Sequence, residues 1–332
     1  MTQYYSSAQK DVVRSHFDQP LVTSIFERKG RALRYFGLPG AEAMDIAAWA
    51  PMLDFVSAVD FDLGKLLVLE KQLDTRYPEI RYRTHLGDAD QVILKNGSWR
   101  PGRPRGTWQH AAMREHPEAG FIWDFDIVYL DYFGKFLPYE RGSAKVQNRT
   151  RAIRHLFATD RQDAWQPWLL LITVEARLFG EEDKNHMRSF LRSCTEGASS
   201  ELSRVLEFLT QEGLEANHEA ARLVHGTAAY LVAMAASNAV VRVIPRGTVL
   251  YSGANNTPML HLAYEILPTG ELIARQVQPL PLLRCPILQV KNPVGDPWFE
   301  LSQHQPEAQT PEEVKAYLEF LPSIEGIVAN TG

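Results

Sequence analysis

The chain has 332 residues, of which 45% are hydrophobic and 23% charged, so it can bury a sizeable core in one large domain or in a domain with an appendage. A formal net charge of −5 gives no overall attraction for nucleic acids or membranes, so any such contact depends on a local patch. The two cysteines form no Cys-x-x-Cys pair, which argues against a disulfide framework or a structural zinc site and favours a reducing, cytoplasmic setting.

The N-terminal region, residues 1–30, is predicted to be a helical lead-in without a signal peptide, because charged and polar residues occur throughout it. A turn that contains Gly37 and Gly40 follows, and an alanine-rich segment with helical propensity extends over 41–53. Glycines in such a turn allow close approach of a ligand to the backbone, although a plain turn explains the pattern equally well.

Two predicted strands then end at acidic residues. The first ends at Asp60, with a helix predicted over 63–73, and the second, 80–86, leads into Gly-Asp-Ala at 87–89. An acid at the tip of the second strand of a dinucleotide-type fold accepts hydrogen bonds from ribose hydroxyls. Asp60 is therefore the first candidate for ribose binding, and Asp62 is the second. Asp88 is suited to accept a hydrogen bond from an exocyclic amine or from a backbone N–H that it caps.

A basic, aromatic insertion is predicted at 95–120. Its arginines are suited to phosphate contacts and its tryptophans to stacking on a base, and a basic helix over 143–158 could extend the patch. The alternative is a solvated loop followed by a charged outer helix face. The candidate nucleic-acid-binding residues are Trp99, Arg100, Arg103, Arg105 and Trp108.

The segment 125–134 has an apolar run typical of a buried central strand, which ends at Asp131 and continues into Tyr132 and Phe133. Because ligands of open α/β sheets bind outside the carboxyl ends of the strands, these three residues are predicted to form one wall of a pocket. A turn or a helix cap is the simpler interpretation of the aspartate taken alone.

The rest of the chain continues the alternation of strands and helices. A strand is predicted over 168–174, helices over much of 181–240, and a hairpin over 240–266. The longest apolar stretch, 223–243, contains His225 and Arg242 and indicates a buried helix rather than a membrane span. The histidines are dispersed, so no metal site is predicted.

Four features, taken in chain order, resemble those of the class I S-adenosylmethionine-dependent methyltransferases. They are the glycine turn, the acid after the second strand, the Gly-Asp-Ala sequence and the strand that ends in aspartate. The resemblance implies a Rossmann-like sheet of seven mostly parallel strands with a closing antiparallel hairpin and helices on both faces. It assigns cofactor binding to Gly37, Gly40, Asp60, Asp88 and Ala89, and catalysis with acceptor binding to Asp131, Tyr132 and Phe133.

The first strand of this resemblance has two alignments. In the favoured one, it precedes Gly37 and leaves room for a helix before Asp54; in the other, residues 43–46 end the strand and Asp45 is its acid. We predict a methyltransferase-like domain over 31–268 and an appendage over 269–332.

The leading function is methyl transfer, with nucleic acid as an expected acceptor. Two alternatives stay open. One is an inactive scaffold or sensor that acts with a protein partner, and the other is a different nucleotide-using α/β enzyme, for which the sequence has no phosphate-binding Gly-x-x-x-x-Gly-Lys loop.

Overall fold

A computed structural model of the chain gives its architecture. It describes residues 7–94, 125–132, 148–158, 166–176, 180–195, 198–212, 216–237, 239, 241–253, 256–268, 279–291 and 298–301. The predicted basic insertion and Phe133 lie outside these ranges. Within them, no helix has the length and hydropathy needed to cross a membrane.

The described residues form one nine-stranded sheet in the order β3-β2-β1-β4-β5-β7-β6-β8-β9. The strands β1 to β5 are parallel to one another, β7 is antiparallel to both β5 and β6, β8 is parallel to β6, and β9 is antiparallel to β8. Their bounds are β1 Leu33–Gly37, β2 Leu53–Asp60, β3 Arg81–Leu86, β4 Ile127–Asp131, β5 Trp168–Glu175, β6 Val241–Ser252, β7 Pro258–Pro268, β8 Ile287–Lys291 and β9 Trp298–Leu301.

Helices cover both faces of the sheet. The helices α1 to α4 contribute to the core on one face, together with a π-helical segment over Val13–Asp18, and α5 to α10 contribute to the core on the other face. Their bounds are α1 Ala8–Val12, α2 Gln19–Lys29, α3 Met44–Trp49, α4 Leu63–Arg76, α5 Ala89–Leu94, α6 Asn148–Ala158, α7 Glu181–Ser193, α8 Ser200–Leu209, α9 Ala216–Ala236 and α10 Pro279–Leu283.

The central strands explain why this order forms. Every residue of β5 is buried, as expected for a strand that is covered on both faces. The side chains of β4 point alternately to the two faces of the sheet. Val128 and Leu130 lie in the core with α6 and α9, and Ile127 and Tyr129 lie in the core with α2 and α3. The side chain of Asp131 therefore shares the face on which the N-terminal helices pack.

Basic residues at and just before the start of β1 have their partner at the amino-terminal end of the parallel strands. Asp126, which directly precedes β4 and is buried, binds Lys29 Nζ at 2.6 Å and Arg31 Nη1 at 2.8 Å, and accepts from the backbone N–H of Arg34 at 2.8 Å. A buried carboxylate needs such partners because leaving it unpaired costs several kcal/mol. The charges of Lys29 and Arg31, just before β1, thus form a structural pairing with Asp126.

The predicted sheet with a closing antiparallel hairpin is confirmed, and β1 ends at Gly37, as in the favoured alignment. The other alignment is wrong, because Asp45 lies in α3 and binds Arg14 Nε at 2.6 Å in place of ending a strand. The sheet also has two strands beyond the expected seven. These strands, β8 and β9, come from the region predicted as an appendage, and β8 pairs with β6.

Candidate functional site

The sheet changes direction of strand order at β1, since the chain proceeds from β1 to β2 on one side and returns to β4 on the other. Gly37 at the end of β1 is level with Ala58 in β2 and Tyr129 in β4. Asp60 and Asp131 each stand two residues beyond this level, about 10 Å apart from strand spacing alone. The carboxyl end of the sheet at this switch point, between Asp60 and Asp131, is called the notch here, and open α/β sheets bind ligands at such a position.

The two predicted cofactor glycines differ in their surroundings. A Cβ on Gly37 would lie 2.5 Å from the carbonyl oxygen of Tyr129 and 2.5 Å from the hydroxyl of Tyr35, so tight packing alone requires glycine there. Gly40 has a φ of +67°, in the left-handed region, and no atom lies within 4 Å of the position its Cβ would take. Of the two, Gly40 keeps its backbone open to a ligand.

Asp60 and Asp88 lie at the ends of neighbouring strands. The residue after β3, Gly87, donates its N–H to the carbonyl of Asp60 at 2.9 Å, which joins the two strand ends. Each aspartate accepts from a backbone N–H two residues ahead: Asp62 donates to Asp60 at 2.8 Å and Asp90 donates to Asp88 at 2.7 Å. The structure thus places the two predicted aspartates at adjoining strand ends and orients each carboxylate by a local hydrogen bond.

The adjacent residues complete this half of the site. Asp62 caps α4 by accepting from the N–H groups of Gly64 and Lys65, while Ala89 begins α5 and is buried. Phe61, between Asp60 and Asp62 in the sequence, is 70% exposed. Sequence reasoning did not select Phe61, although an aromatic residue directly after a strand-end acid was the available signal. A large exposed ring beside a polar strand end offers a flat surface for a planar ligand.

The other half of the site contains an ion pair that the sequence did not predict. Lys10 in α1 places its Nζ 2.5 Å from Asp131 Oδ2, and both side chains keep less than a fifth of their surface exposed. Burial lowers the pKa of the Lys10 ammonium, but the negative charges of Asp131 and Asp45 and the hydrogen bond to Asp131 raise it further, so its net pKa lies above the ordinary value. Lys10 is therefore charged and neutralises Asp131.

Tyr132 is buried and links the two halves. Its hydroxyl donates to Asp90 Oδ1 at 2.6 Å, and the Arg149 guanidinium lies 4.3 Å from the centre of its ring. Burial raises the pKa of Asp90 to about 6, opposed by the hydrogen bond from Tyr132 and the positive charge of Arg149, and assisted by Asp88. Burial likewise raises the pKa of the Tyr132 hydroxyl well above its ordinary value.

Several predicted groups are used differently or cannot be placed. Arg149, predicted as part of a basic patch, turns toward Asp90 and Tyr132, whereas Arg151 and Arg154 are exposed on α6. The predicted nucleic-acid-binding residues of the insertion lie outside the described residues, as does Phe133. Among the described residues, no cluster of three or more His, Cys, Asp or Glu side chains could hold a metal ion.

Comparison with known proteins gave structural similarities alone. No family model and no curated protein sequence matches the chain. Among solved structures, Trm1 from Pyrococcus horikoshii with S-adenosyl-L-methionine matches with a TM-score of 0.44 and 9% identity, over 97% of this chain and 73% of that one.

Two further structures match part of the chain. The O-methyltransferase from Bacillus cereus in complex with SAH gives a TM-score of 0.38 and 10% identity, over 80% of this chain and 83% of that one. An rRNA methylase from Streptococcus thermophilus gives 0.35 and 12%, over 76% of this chain and 95% of that one.

The class of fold follows from the strand order and directions. The first seven strands are ordered 3-2-1-4-5-7-6, and the seventh is antiparallel to its neighbours. The chain therefore has the class I methyltransferase fold, extended by β8 and β9.

Proposed function

We propose that this chain transfers a methyl group from S-adenosylmethionine to a nucleic-acid acceptor. The observation that carries the proposal is the arrangement at the switch point, with Asp60 and Asp88 at the adjoining ends of β2 and β3 on one side and Asp131 at the end of β4 on the other. The side with Asp60 and Asp88 suits a nucleoside, and the side with Asp131 suits an acceptor group that loses a proton.

The residues on the β1–β3 side fit S-adenosylmethionine. Asp60 would accept from the ribose hydroxyls, Asp88 from the adenine amine, and the exposed ring of Phe61 offers a face for the base. The open backbone at Gly40 leaves space for the methionine part. When bound, the cofactor would supply an electrophilic sulfonium methyl group.

On the β4 side, Asp131 is the candidate residue for the acceptor. Its carboxylate can orient an acceptor N–H by accepting a hydrogen bond and can take up the proton that the nitrogen loses on methylation. Tyr132, held by Asp90 and Arg149, fixes the backbone directly after Asp131, and its own N–H donates to the carbonyl of Thr173 at 2.8 Å. Rigid support of this kind favours alignment of the reacting atoms.

Nucleic acid is the proposed acceptor class because basic side chains lie near this half of the site. Arg149, at the first turn of α6, contacts Tyr132, and Arg151 and Arg154 follow on the same helix with exposed side chains three residues apart. Exposed arginines at this spacing face one side and are suited to phosphate contacts. The basic insertion predicted at 95–120 supports the same acceptor class.

Calorimetric titration of the full chain with S-adenosylmethionine tests the cofactor assignment. We expect saturable binding that is weakened at least about tenfold by Asp60→Ala, which removes the ribose acceptor, and by Phe61→Ala, which removes the stacking surface. Asp74→Asn is the matched control, because it removes one exposed acid near the far end of α4 while its amide oxygen can still accept from the Tyr82 hydroxyl.

The outcomes separate the alternatives. An unchanged affinity in the Asp60 and Phe61 variants would place the ligand elsewhere, and equal weakening by the control would indicate a general charge effect. A folded wild-type chain that binds no S-adenosylmethionine at millimolar concentration contradicts the cofactor proposal and favours the scaffold or sensor alternative.

A further inference from the structure

The N-terminal helix α1 is held differently from the helices that follow it. Residues 8–11 bury no apolar side chain, and Val12, 6% exposed, is the one buried residue of α1. By contrast, α2 buries Leu21, Val22 and Ile25 at 2% exposure or less. Segments with few buried apolar contacts open at lower free energy than the body of a protein. The first turn of α1 is therefore the less firmly attached part of this region.

Polar contacts fasten this turn across the acceptor side of the notch. Ser7 donates its hydroxyl to the carbonyl of Ser252 at 2.6 Å, and Gln9 Oε1 accepts the N–H of the same residue at 2.5 Å. Lys10 forms the ion pair with Asp131 at the tip of β4. These contacts join α1 to the ends of β6 and β4 through groups that water or a ligand can replace.

The anchoring becomes firm within the π-helical segment Val13–Asp18. Arg14 binds Asp45 Oδ1 at 2.6 Å, and both side chains are buried. Phe17 is fully buried and contacts the rings of His261 and Phe299, and Asp18 binds His261 Nε2 at 2.8 Å. π-Helical insertions occur often at functional sites. The change from part-buried polar contacts to buried contacts thus coincides with a change in helix type.

We propose that the first turn of α1 is a gate over the acceptor side of the site. The Lys10–Asp131 ion pair, called the catch, holds the gate closed, and the π-helical segment is the end of the gate that does not move. Opening the gate frees the Asp131 carboxylate, and closing it neutralises that carboxylate. The assignment of this side to the acceptor rests on the proposed function, but the gate itself is a property of the unliganded chain.

Hydrogen–deuterium exchange of the full chain, followed by mass spectrometry of peptides, tests the gate without any ligand. We expect the amides of residues 8–12 to exchange at least about tenfold faster than those of residues 19–29. Lys10→Met and Asp131→Asn each remove the catch from one side and should speed exchange in 8–12 about threefold, with 19–29 unchanged. The double variant should be no faster than the faster single variant.

Two control variants distinguish loss of this ion pair from a change of side chain alone and from loss of a lysine ion pair elsewhere. Lys10→Arg keeps the charge and should exchange close to the wild-type rate, and Lys184→Met breaks another partly buried lysine ion pair, in α7, without an effect on residues 8–12. Equal exchange in 8–12 and 19–29, or variants that speed both segments together, would show α1 to be a permanent wall and overturn the proposal. Calorimetric binding of S-adenosylmethionine is measured separately, so loss of the cofactor proposal and loss of the gate are distinguishable.

Discussion

The two halves of the notch are built from contacts of different range. On the β1–β3 side, Asp60 and Asp88 accept from backbone groups two residues ahead, and Phe61 is exposed. On the β4 side, Asp131 pairs with Lys10, which is 121 residues earlier in the chain, and α1 lies across it. One half is open and locally organised, and the other is covered by a distant segment.

This difference separates a binding surface that is ready for a ligand from one that must change before a ligand can enter. Local capping orients a carboxylate while leaving its outer lone pairs to solvent. A charge-assisted pair with lysine occupies the carboxylate directly. We therefore expect the β1–β3 side to bind its ligand without rearrangement and the β4 side to require separation of Lys10 from Asp131.

The largest expected effect separates the two glycines of the β1 turn. Gly37→Ala places a methyl group against the Tyr129 carbonyl and the Tyr35 hydroxyl, and should lower the free energy of unfolding by about 3 kcal/mol. Gly40→Ala meets no atom within 4 Å and should cost about 1 kcal/mol, because its φ is positive. Urea unfolding of both variants measures the difference, and equal losses would contradict the assigned packing.

A second prediction concerns Asp90, which joins the halves through Tyr132. Its folded-state pKa of about 6 lies above the ordinary 3.8, so the folded chain binds its proton more tightly than the unfolded chain does. Its contribution to stability is therefore present below about pH 4 and is lost as the pH rises through about 6. Over this window the loss amounts to at most about 3 kcal/mol.

Asp90→Asn is the control for that pH dependence, because its amide oxygen can still accept from Tyr132 while the group no longer titrates. Denaturant unfolding between pH 4 and pH 7 should show a steeper fall for the wild-type chain than for the variant. Parallel curves would exclude Asp90 as the titrating group.

The smallest effect tests the nucleic-acid surface beside the β4 side. Replacing Arg151 and Arg154 by glutamine should weaken binding of a single-stranded RNA about tenfold at low salt and reduce the slope of log K against log salt by about 1.4. The control replaces two other exposed arginines by glutamine, Arg192 on α7 and Arg204 on α8, and should leave binding unchanged. Fluorescence anisotropy measures both, and equal losses would reduce the effect to net charge.

The sequence predicted the elements whose signals are local. The apolar runs of β4 and β5, the acid at the end of β2, and the closing hairpin were identified, because burial on both faces and turn residues leave marks within a few positions. The roles assigned to Asp60, Asp88 and Asp131 stay predictions. The choice between Gly37 and Asp45 as the end of the first strand needed the pairing of β1 with β2 and β4.

The sequence by itself determined the class of sheet and the position of the acids, because each strand carries its own hydrophobic pattern and each acid follows its strand directly. The tertiary structure alone decided that Lys10 meets Asp131, that Arg149 packs on Tyr132, and that β8 and β9 extend the sheet. Such contacts depend on where separate elements come together in space, and a charged side chain carries no local mark of its distant partner.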